Sequence, residues 1–119
     1  AVADARLAPY GRAARRVLDV LDIDLDGRVV TGRSVAQVWH FVASGAAEAG
    51  FVALAQVPAA GPTEGTVIPI PQDLHEPILQ QAVLLKGAPD AARDLLTFVL
   101  TGPGRQTVAD CGYGTEVTP

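Results

Sequence analysis

Apolar runs of strand length alternate with segments of helical periodicity along this chain, and no other feature limits its fold so tightly. Phe51–Leu54 is a continuous apolar run following Gly50, as expected of a strand buried on both faces. Just before it lies the clearest helix signal. Ser34-Val35-Ala36-Gln37 fits the S-x-x-Q capping box, in which each end satisfies an orphan amide of the other. Val35, Val38, Trp39 and Val42 then recur at i, i+3, i+4 and i+7, marking the buried face, and Gly45 is a natural stop. This alternation predicts an α/β layered domain with a mixed, mostly parallel sheet flanked by helices.

The rest of the chain reads the same way. Ala1–Ala3 looks like the tail of a strand, in keeping with a chain that begins inside a longer protein, and Asp4–Ala8 is a loop. A helix is predicted from Pro9 to Leu21, because Pro suits a first helical position and Val17, Leu18 and Leu21 share a face with Ala13 and Ala14. Arg28–Val30 is a short strand, Pro58–Gly65 a surface loop, and Thr66–Ile70 an edge strand interrupted by Pro69. Ile78–Lys86 is the longest strand expected. Asp90 should cap a helix over Ala91–Leu100, followed by a helix over Pro103–Cys111 that Gly112 and Gly114 stop.

Composition narrows the function classes. A chain of 119 residues can bury a core without metals or disulfides, and here 49% of residues are hydrophobic and 18% charged. The net charge is −4 and the Lys and Arg residues are scattered, which excludes a phosphate-backbone binder. No apolar run approaches the roughly 20 residues that span a bilayer, so no direct membrane insertion is expected.

Catalytic machinery is equally hard to assemble. His40 and His75 have no Cys or carboxylate partners at metal-ligand spacing, and they read as packing or surface histidines. Cys111, the only cysteine, has no neighbour to lower its pKa and reads as a quiet, partly buried thiol. No nucleophile elbow, Walker loop or Rossmann fingerprint is present. Asp22-Ile23-Asp24-Leu25-Asp26-Gly27 matches the first half of a calcium loop, but Arg33 falls where the bidentate Glu should be. These readings predict no enzyme activity, no cofactor and no direct cation ligands. What remains is anion capture at helix N-termini, whose unpaired amides and partial positive charge hold oxyanions without basic side chains. Two helix starts qualify, Pro9-Tyr10-Gly11 and Ser34-Val35-Ala36.

Several segments carry a family resemblance. Ala8-Pro9-Tyr10-Gly11-Arg12-Ala13-Ala14 resembles the APYG-type segment of periplasmic molybdate-binding proteins of ABC transporters. Ser34 to Gly45 is similar to that family's N-V-A-Q-x-x-x-F-V-A-x-G stretch, and Gly50 to Val57 to its G-F-V-A-L-S-Q-V strand. Pro77-Ile78 with Gln80 to Lys86 resembles P-I-x-Q-D-A-V-L-L-K, and Ala92 to Gly114 the terminal helices. The motifs run in order along nearly the whole chain.

The resemblance implies one lobe of a periplasmic-binding-protein-like fold, with residues 1–119 as the second lobe and C-terminal helices of a two-lobed protein whose first lobe is absent. It implies capture of a tetrahedral oxyanion, molybdate or tungstate, in the periplasm for a membrane permease of an ABC transporter. Molybdenum would be held as the oxyanion, through the backbone amide of Tyr10, whose hydroxyl also contacts it in one branch, and through the amide of Val35. A tyrosine used by other members on the third strand is replaced here by Ala53, Ala55 stands where Ser is common, and Asp110-Cys111 replaces a basic–aromatic pair. The alternative is an oxyanion-sensing domain of a transcriptional regulator or cofactor-biosynthesis protein, which reuses the same module.

Overall fold

Two short parallel strands organise the first part of the chain in the computed structural model, which describes residues 1–59 and 65–114. Strand β1 (Val2–Ala3) pairs with β2 (Thr31–Gly32) in the register Val2↔Thr31 and Ala3↔Gly32. The Val2 amide donates to the Val30 carbonyl at 2.9 Å and the Asp4 amide to the Gly32 carbonyl at 2.7 Å, so the ladder extends just past each strand. On the other edge of β1, the Phe51 amide donates to the Ala1 carbonyl at 3.1 Å. The expected strand at Arg28–Val30 is therefore displaced to Thr31–Gly32, because β1 fixes which residues find ladder partners.

Helix α1 (Pro9–Val20) connects the two strands, and α2 (Val35–Ala43) follows β2. Pro9 occupies the first turn of α1, where its missing N–H leaves nothing unpaired. Ala14 and Val17 are buried on its inner face. Gly11 is buried too, and a Cβ there would collide with the Ala3 carbonyl and the Ala5 amide, so this helix lies against β1 only because position 11 is glycine. Ala3, Ala8 and Val38 form the core cluster, with Ala1 and Val52 packed on it, and Val38 is completely buried. Because most of these side chains are alanines, the elements approach closely but bury little area per residue.

Helix α1 ends in a Schellman motif. The Ile23 amide donates to the Leu18 carbonyl at 2.9 Å and the Asp22 amide to the Asp19 carbonyl at 3.3 Å. Asp22 holds the left-handed position at φ 52°, where glycine is usual, and places an acidic residue just past the negative end of the helix. Asp22→Gly should therefore raise stability by about 1 kcal/mol. Urea denaturation would show this as a higher midpoint, and a lower one would show that Asp22 carries no strain. Asp24 and Asp26 shape the next turn, where the Asp26 amide donates to the Asp24 carboxylate at 2.9 Å.

Beyond Phe51 the chain departs from expectation. Phe51–Leu54 forms no strand among the described residues; Ala53 is buried but Leu54 is half exposed, so the run is not buried on both faces. A short helix α3 (Gln56–Ala59) occupies the start of the expected Pro58–Gly65 loop, and residues 60–64 lie outside the described residues. Thr66–Ile70 runs without a ladder partner among the described residues and exposes Ile68. A 3-10 turn at Gln72–Leu74 then lies against α1.

Leu79–Pro119 is a separate compact unit. The strand expected over Ile78–Lys86 does not form: Leu79, Val83 and Leu85 are 68%, 81% and 74% exposed, and no described segment pairs with them. Apolar alternation signals strand propensity, but a strand exists only when a neighbour completes its ladder. Helix α4 (Asp90–Leu100) starts one residue earlier than expected, with Pro89 as N-cap and the Asp90 carboxylate in the first turn. Thr101 breaks the helix in extended geometry, and α5 (Gly102–Asp110) packs its buried Gly104 against the Phe98 carbonyl of α4. A second Schellman motif ends α5, with Gly112 at φ 84° and the Tyr113 amide donating to Val108 at 3.2 Å. Cys111, at the C-cap, is exposed rather than partly buried, because the helix ends beneath it and nothing described covers it.

Candidate anion-binding site

Both helix starts singled out by sequence lie at the same end of the parallel pair. Strand β1 runs through Asp4–Ala8 into α1, and β2 runs through Arg33 and Ser34 into α2. The 2.7 Å bond from the Asp4 amide to the Gly32 carbonyl ties the two exits together. Ala8, the N-cap of α1, and Val38, one turn into α2, belong to one apolar cluster with Ala3. In open α/β sheets, ligands bind in the crevice beyond the carboxyl ends of the strands. Tyr10 and Val35 stand at that end.

The β1–α1 loop is held by one aspartate. The Asp4 carboxylate accepts from the Arg6 amide at 2.8 Å and from its guanidinium at 3.2 and 2.9 Å, while the Asp4 carbonyl accepts from the Leu7 and Ala8 amides. Hydrogen bonds from the Arg6 side chain hold the Asp4 carboxyl below its ordinary pKa. A lowered carboxylate pKa means the loop gains stability above the ordinary carboxylate range and loses it as the pH falls through the depressed value. Tyr10 follows as the second residue of α1, half-buried, and no side chain caps this helix. The Gly11 and Arg12 amides both turn back to the Ala8 carbonyl, at 3.0 and 3.3 Å.

The start of α2 differs from the expected capping box. Ser34 is the N-cap, and its hydroxyl oxygen accepts from the Gln37 amide at 3.3 Å, as expected. The Gln37 side chain, however, accepts from the Arg33 amide at 2.8 Å and not from that of Ser34. The reciprocal bond has moved one residue upstream, to the bend between the end of β2 and Ser34. Among the described residues, the amides of Ser34, Val35 and Ala36 are then left with no acceptor. Three successive N–H groups at a helix start form a donor set suited to an oxyanion.

Sequence reasoning named Val35 but missed the Ser34 amide, since a capping box would have used it. It also missed Gln56, whose side-chain oxygen accepts from the Ala53 amide at 3.1 Å and shapes the turn after Val52. Ala53 is buried and supplies no hydroxyl. His40 is exposed, and His75 places Nδ1 2.8 Å from the Glu76 carbonyl.

Adjacent parallel strands whose exits both lead into helix starts form a βαβ module of the α/β class. A profile described as bacterial extracellular solute-binding protein matches residues 1–114, and the chain belongs to that family. Among curated proteins it is similar to the molybdate-binding protein ModA of Rhodobacter capsulatus, 44% identical over 98% of this chain and 47% of the relative. It is also similar to the molybdate-binding protein ModA of Azotobacter vinelandii, 42% identical over 97% of this chain and 48% of the relative. The chain thus spans about half the length of these curated relatives. No solved structure matches it significantly.

Proposed function

We propose that this chain is one lobe, with its C-terminal helices, of a periplasmic solute-binding protein that captures molybdate or tungstate for an ABC transporter permease. The dianion docks against the α1 start at Tyr10 and the α2 start at Val35, with the Ser34 and Ala36 amides beside it. The observation that carries this reading is the pair of helix starts at one end of β1 and β2, tied by the Asp4–Gly32 bond. The names of the two relatives supply molybdate, and tungstate is included as a tetrahedral dianion of the same charge. Binding through neutral donors transfers no proton and breaks no bond, so the chain acts as a receptor rather than an enzyme and needs no cofactor or direct cation ligand.

Calorimetry tests it. A chain of the relatives' full length carrying this sequence should bind molybdate and tungstate with similar affinity and sulfate at least about tenfold more weakly, a difference of about 1.4 kcal/mol. Sulfate binding as tight as molybdate, or no binding of any of the three, overturns the reading.

The half of the relatives that this chain does not span is the proposed partner for the apolar segment around Val83. An unpaired extended segment carrying Leu79, Val83 and Leu85 is stable only when a neighbour supplies ladder bonds and covers the side chains. In hydrogen exchange, the amides of residues 79–85 should be protected in the longer chain and exchange freely in residues 1–119 alone. Equal exchange in both would remove this segment from the contact with the other half.

A further inference from the structure

No further inference is drawn: the strongest candidate, the groove of about 390 Å³ between α1 and the β1–β2 pair lined by Val2, Arg6, Arg15, Leu18, Val29 and Thr31, carries nothing because Arg6 is already paired with Asp4 and nothing in the structure shows what fills it.

Discussion

Residues 1–119 alone should bind molybdate at least about a thousandfold more weakly than a chain of the relatives' full length. A tetrahedral dianion buried in a cleft must receive donors on every oxygen, since an unpaired buried charge is costly. The proposed donors, at the starts of α1 and α2, lie at one end of one strand pair. They can serve only the anion oxygens that face them, and the others stay in water. A hydrogen bond to a charged group contributes about 1.5–3 kcal/mol, so losing three or more of them removes at least three orders of magnitude. Titration of both chains with sodium molybdate in one buffer measures the ratio. Equal affinities would show that the site is complete within this chain and that binding needs no second half.

Val35→Pro in the longer chain should lower molybdate affinity by about 10- to 150-fold, the effect of one lost hydrogen bond to a charge. The substitution is unusually clean at this position. Val35 is the first residue of α2, where proline's fixed φ is already suitable and the lost N–H has no acceptor among the described residues. Ser34 before it is extended, at φ −148° and ψ 163°, which is the geometry a following proline requires. The thermal midpoint without ligand should therefore move little. Val35→Ala, which keeps the amide, should bind within about twofold of the original, because the proposed contact is to the backbone alone. Full affinity in the proline variant would remove Val35 from the site. A matching loss in the alanine variant would assign its role to side-chain packing instead.

Both predictions rest on positions that were legible before any fold was known. Helix signals are short-range: Pro9 in a first turn, Ser34 three residues before Gln37, and Gly45 and Gly112 past helix ends each act within one or two turns. For that reason α1, α2, α4 and α5 fall within a residue or so of their expected bounds. The collinear motifs placed the chain in its family for a similar reason, since each is a local string of residues. Strands were read less well. Thr66–Ile70 and Ile78–Lys86 have the composition of strands, yet a ladder needs a partner that no local pattern supplies, and none pairs with them among the described residues. Even Arg28–Val30 was misplaced, because register belongs to the pair and not to either strand.

The helix starts at Tyr10 and Val35 were thus determined by sequence alone, through capping chemistry and motif resemblance. Their arrival at one end of a parallel pair was decided only by tertiary structure, through the Val2↔Thr31 register, the Asp4–Gly32 bond and the close approach that Gly11 permits. The same holds for the donor set itself. Ser34 and Gln37 announce a capping box, but the direction β2 takes as it leaves Gly32 brings the Arg33 amide to the Gln37 side chain. That choice leaves the Ser34 amide, beside those of Val35 and Ala36, without an acceptor among the described residues, and it is made by backbone geometry that no local residue pattern encodes.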